Sequence, residues 1–175
     1  MKTITAEWYE LLTFLRLPRT TKGMAEAMAM DVLHVSSQYL TYLPDSIGLL
    51  VNLELLFLDD NKLTELPESI GQLVNLRKFH CSFNQLTALP ESMGQLTNLK
   101  RFFCNENKLT SLPESMGKLE NLKLLYCEYN QLTALPDSLG QLPNLEEVYC
   151  NNNQLTALPE GLSKNVSIYS DGNLF

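Results

Sequence analysis

No stretch of this chain approaches the roughly 20 consecutive apolar residues that a membrane-crossing helix requires, so neither a transmembrane segment nor a membrane partner is expected. The opening residues place Glu7 and Glu10 where a signal peptide would carry its apolar segment. A cytoplasmic protein is the expectation, unless a route independent of signal peptides secretes it. Basic residues are scarce: 13 Lys and Arg stand against 20 Asp and Glu, for a formal net charge of −7. Without a basic excess to neutralise phosphates, no nucleic-acid partner is expected. The chain also lacks a Gly-rich phosphate loop, a His-Glu-x-x-His segment and a Ser-centred elbow. No catalytic residue, cofactor or metal is assigned, and an enzyme is not expected.

What the chain has is a phrase repeated every 23 residues over residues 53–166. Asn61, Asn84, Asn107, Asn130 and Asn153 keep the step without slippage, as do Pro44, Pro67, Pro90, Pro113, Pro136 and Pro159. Periods of this length mean stacked coils that share one continuous core. A chain of 175 residues is long enough to bury about 70% of its unfolded surface as one domain.

The four cysteines all occupy one position of the phrase, at Cys81, Cys104, Cys127 and Cys150, where other coils have the last leucine of Leu-x-Leu. Stacked strands lie about 4.8 Å apart, wider than the roughly 3.8 Å between β-carbons that a disulfide prefers. Four thiols in a row cannot converge on one tetrahedral zinc either. They are expected to pack as small buried apolar groups. His34 and His80, two coils apart, are too distant to share a metal, and strand alternation sends His80 and Cys81 to opposite faces.

Leu53-x-x-Leu56-x-Leu58-x-x-Asn61-x-Leu63, followed by Leu66-Pro67, Ile70-Gly71 and Leu73, resembles the leucine-rich repeat frame position for position. The second half is similar to an intracellular subclass found in Ras-suppressor-like, plant Ras-group and bacterial repeat proteins, some of them secreted effectors. The resemblance covers residues 30–175. It implies an α/β fold, a right-handed leucine-rich-repeat solenoid or horseshoe with a parallel concave sheet, and a protein that binds other proteins.

Residues 1–29 carry no repeat and read as an N-terminal helical cap on the solenoid of 30–175. From an N-cap at Thr5, Trp8, Leu11, Leu12 and Leu15 share one helical face that Leu17-Pro18 ends. Arg19 to Gly23 read as a polar turn, and Met24 to Met30 as a further helical turn. The first repeat is degenerate, with Gln38 in place of asparagine, and four regular ones start at Leu53, Leu76, Leu99 and Leu122. A fifth starts at Leu145 without its Ile-Gly-x-Leu ending, for about six repeats in all. A truncated last coil from about Asn165 places Ile168, Ser170, Asn173 and Phe175 in the frame, with Leu174 and Phe175 expected to close the end.

Each Leu-x-Leu/Cys pair should point inward from a short strand. Each asparagine should satisfy turn backbone through both its oxygen and its NH₂. Proline and glycine, through the missing N–H and the tolerance of unusual dihedrals, should keep long helices off the convex side.

The residue between the two core strand positions is His34, Phe57, His80, Phe103, Tyr126, Tyr149 and Tyr169 in successive coils, a ring every time. At about 4.8 Å per coil they form a stripe about 29 Å long on the concave floor, expected to face water. Large flat side chains left wet favour recognition, and Tyr is enriched at hot spots; the alternative, compatible with it, is that the rings stack on one another to stiffen the sheet. Asp31, Glu54, Glu146 and Glu147 flank the stripe toward its ends, with Arg77, Lys78, Lys100, Arg101 and Lys123 in the middle. The other flank carries Asp59, Asp60, Glu106 and Glu128 with Phe83 and Tyr129. The partner-binding set is therefore the seven rings with Lys78, Arg101, Phe83 and Tyr129.

The expected function is a monomeric protein-interaction module. Alternatives are a bacterial effector-type repeat protein acting on a host protein, and a carbohydrate or small-molecule binder on the aromatic floor.

Overall fold

The computed structural model describes residues 5–162 and 166–175. Seven three-residue strands form one parallel sheet in strict chain order: β1 Val32–His34, β2 Leu55–Phe57, β3 Lys78–His80, β4 Arg101–Phe103, β5 Leu124–Tyr126, β6 Glu147–Tyr149 and β7 Ser167–Tyr169. The register follows the repeat, so that Leu56, Phe79, Phe102, Leu125, Val148 and Ile168 stand side by side. These residues point inward, and all but the half-buried Ile168 are buried. Val148 aligns with Ile168, as the shortened last coil requires; its start at Asn165 lies outside the described residues.

Opposite the sheet, each of the first five coils makes a five-residue 3₁₀ helix: Asp45–Leu49, Glu68–Gln72, Glu91–Gln95, Glu114–Lys118 and Asp137–Gln141. The proline before each has its φ fixed near the helical value and its carbonyl accepts the first i+3 bond, as from Ile70 N to Pro67 O at 3.0 Å.

The glycines of these helices act differently from the sequence expectation. None of Gly48, Gly71, Gly94, Gly117 and Gly140 has a positive φ. A Cβ on Gly94 would lie 2.5 Å from the Ser115 carbonyl oxygen of the next coil, and one on Gly71 2.6 Å from the Ser92 carbonyl oxygen. Close approach of coil to coil, rather than dihedral freedom, demands glycine here. Gly94→Ala is expected to cost about 1–3 kcal/mol by overpacking, read from the urea midpoint; an unchanged midpoint would show that the coils can separate freely.

The repeat asparagines form a continuous ladder. Asn107 Oδ1 accepts from Leu86 N at 2.9 Å, while its Nδ2 donates to the carbonyls of Cys81, Cys104 and Asn105 at 3.0, 3.1 and 3.3 Å. Asn84, Asn130 and Asn153 repeat this pattern. A second ladder, missed in the sequence, runs outside the first. Asn52, Asn75, Asn98, Asn121 and Asn144 each donate to a carbonyl 24 residues earlier at 2.6–2.9 Å, the first to Met28 of the N-terminal segment and the others to the preceding coil.

At the N-terminal end, α1 (Ala6–Phe14) buries Leu11 and Leu12 completely against the first coil, and Glu10 accepts from Ser46 Oγ at 3.0 Å. Thr5 holds the N-cap position but its side chain makes no capping bond. The helix stops at Phe14, earlier than Leu17-Pro18, because Arg16 turns left-handed (φ 56°) and Leu17 N bonds to Leu12 O. This is the Schellman pattern without its usual glycine. The segment expected to be a polar turn instead begins α2 (Thr21–Met28), with Thr20 Oγ1 accepting from Gly23 N.

At the other end Leu174 and Phe175 are exposed, and so do not close over the core as expected. Their backbone still follows the repeat, with Leu174 N donating to Leu155 O. Among the described residues no helix is long and apolar enough to cross a membrane.

Candidate functional site

The strands bring the seven ring residues into one unbroken stack. His34–Phe57 and Phe57–His80 are tilted, with centroids 5.3 and 4.8 Å apart. From His80 onward the rings lie nearly parallel: 4.0 Å to Phe103, 4.6 Å to Tyr126, then 4.3 Å to Tyr149 and again to Tyr169, at interplanar angles of 6–19°. Only His34 and Tyr169, at the two ends, are exposed; the rings between are half-buried. The wet stripe expected from sequence is therefore corrected. From His80 onward the rings cover one another's faces, and the edges are what remain for the hollow.

Polar groups pin this stack at several points. His80 Nδ1 lies 3.3 Å from Asp59, leaving Nε2 buried without a partner. Tyr149 donates its hydroxyl to Glu147 at 2.8 Å, and holding that proton against the carboxylate raises the phenol pKa. Lys78 Nζ sits 5.6 Å from the ring centroids of both Phe57 and Phe103, a contact the sequence did not signal. Burial, with Glu106 nearby, raises the Glu128 carboxyl, although its own backbone amide opposes the shift.

Phe83 and Tyr129 differ from the stack. Each immediately precedes a ladder asparagine, in a row whose other members are Ser37, Asp60, Glu106 and Asn152, and the whole row has left-handed φ of 53–55°. Asn, Asp and Gly tolerate that region, whereas a bulky side chain there costs about 1–2 kcal/mol. Both rings are also more than half exposed, at 56% and 52%, so packing does not repay the strain. Sequence could have flagged them by their place directly before Asn84 and Asn130.

The flanking charges sort into paired and unpaired. Arg77 bonds Glu54 at 3.5 Å and Lys123 bonds Glu146. Among the described residues Lys78, Lys100 and Arg101 make no salt bridge.

The thiols lie beneath this face. All four are free and buried, and burial raises the pKa of each, that of Cys150 to about 11. Cys81 points its sulfur to the Phe103 carbonyl at 3.4 Å, away from the His80 ring, so the two do not form a nucleophile and base.

Two copies of the family description "Leucine Rich repeats (2 copies)" match residues 74–116 and 120–164, and "Leucine Rich Repeat" matches 52–73. The chain belongs to the leucine-rich repeat family. No curated protein matches it in sequence. Among solved structures, this leucine-rich repeat chain is similar to an LRR protein of Leptospira interrogans, at 31% identity and a TM-score of 0.71. That match covers 87% of this chain and 46% of the other. It is also similar to InlP of Listeria monocytogenes, at 30% identity and a TM-score of 0.69, covering 81% of this chain and 39% of that one. It thus spans less than half the length of either leucine-rich repeat relative.

Proposed function

We propose that this leucine-rich repeat protein is a non-enzymatic, monomeric interaction module, with 1–29 capping the solenoid of 30–175 and the concave aromatic face gripping a protein partner. The observation that carries the reading is the pair Phe83 and Tyr129. The ring stack has a structural reason to exist, since mutual stacking stiffens the sheet. Phe83 and Tyr129, exposed in left-handed backbone as Tyr39 of the first coil also is, have none, and strain held without packing return is a mark of function. Phe83 and Tyr129 follow His80 and Tyr126 in their coils, toward the middle of the array, where a hot spot would sit.

Phe83→Asn with Tyr129→Asn is the test that separates binding from structure. The double variant is expected to be more stable by about 1 kcal/mol per site, yet to lose capture of partners from native lysate. Greater stability with capture intact would remove the main support for the concave face. Phe103→Ala/Tyr126→Ala/Tyr149→Ala should also lose capture, but with a lower melting temperature because the stack is half-buried.

The carbohydrate alternative is weakened by the ring faces being covered, since sugars pack on faces and need convergent polar groups in a pocket. The effector-type alternative draws support from both solved relatives being bacterial proteins. A translocation assay distinguishes it, and it uses the same concave face.

A further inference from the structure

We infer that the partner meets this face through an acidic peptide segment whose carboxylates seat on Lys78, Lys100 and Arg101; the inference rests on the concave-face reading above. Three observations converge on it.

The outer charges neutralise each other and the inner ones do not. Glu54–Arg77 closes one side and Lys123–Glu146 the other, leaving Lys100 between two satisfied pairs. In the next row Lys78 and Arg101 are direct strand partners, set between Leu55 and Leu124. Three unpaired cations thus occupy two adjacent coils, about 4.8 Å apart.

The floor beside them has the matching polarity. Because the parallel rings cover one another's faces, they offer their edges, the positive part of the aromatic quadrupole. Lys78, held over Phe57 and Phe103, adds its charge to that floor. Carboxylates are therefore attracted from below and from one side.

The opposite flank carries Asp59, Asp60, Glu106 and Glu128 and repels them, which confines the acidic side chains to the Lys100 side. A nucleic-acid strand, with a phosphate every ~3.4 Å, would outrun three cations and meet the acids at Glu54 and Glu146. A short acidic segment with an apolar residue for the ring edges fits instead. The net charge of −7 does not oppose this, because charges beyond about 8 Å are screened at physiological salt.

The experiment is selection of a displayed random dodecapeptide library on the full chain. Acidic peptides should be enriched, and should bind at least tenfold more weakly to Lys100→Glu/Arg101→Glu, two exposed positions whose reversal should leave melting unchanged. Enriched peptides without acidic excess that still lose binding to Phe83→Asn/Tyr129→Asn would overturn the inference and leave the concave-face reading standing. Peptides bound equally by wild type and both variants would overturn both. A selection that enriches nothing also counts against the acidic segment.

Discussion

Asn107→Leu is expected to lower the unfolding free energy by about 3 kcal/mol, measured by urea denaturation. Leucine keeps the branched skeleton, with bulkier methyl groups, but removes four hydrogen bonds. They are not equivalent. The Cys81 carbonyl also accepts from Asn84, the Cys104 carbonyl from Asn130 and the Asn105 carbonyl from Phe83 N, so each keeps one partner. The Leu86 N–H is left alone, and it is buried. An orphaned buried donor costs about 1–3 kcal/mol, and the lost bonds about 0.5–1.5 kcal/mol each at most. Asn107→Asp separates the two halves of the amide. It keeps the acceptor for Leu86 N but turns a carboxylate toward three carbonyl oxygens, and is expected to be at least as damaging. A loss under about 1 kcal/mol for the leucine variant would mean that the ladder is incidental to stability.

The ladder also shows how far the sequence could be read. A residue type returning every 23 positions must occupy equivalent places in stacked coils, so strand register, the asparagine row, the thiol row and the ring row all followed from periodicity. What did not follow depended on the distance between coils. The glycines are set by carbonyls of the next coil, and ring exposure by stacking at 4.0–4.8 Å, neither visible in one repeat. The strain at Phe83 and Tyr129 was hidden because the row before the asparagine varies in residue type while its backbone does not. Outside the periodic region prediction was weakest: α2 starts inside a segment that reads as a turn, and Leu174 and Phe175 stay exposed although their apolar character suggested closure.

Phe102→Ala should be the most destabilising single change, at about 3–5 kcal/mol. Phe102 is fully buried beneath β4 and its ring packs on Phe79 at a centroid distance of 5.4 Å. Both phenylalanines stand where other coils have leucine, valine or isoleucine, and both coils have cysteine at the second inward position, where the second coil has Leu58. The larger ring is accommodated beside the smaller thiol, so alanine at 102 would leave Cys104 and its neighbours facing a void that short, rigid strands cannot collapse to fill. Phe102→Leu restores the family's usual residue and should cost less than half as much, while Phe102→Leu with Cys104→Leu recreates the pair found at Leu56 and Leu58 and should recover further stability. The same variants report on the concave side. Residue 103 sits on the opposite face of β4, stacked between His80 and Tyr126, so collapse under it should also loosen the ring stack and weaken partner capture. If Phe102→Ala unfolded no more readily than Phe102→Leu, volume pairing of Phe with Cys would not be what fits these coils together.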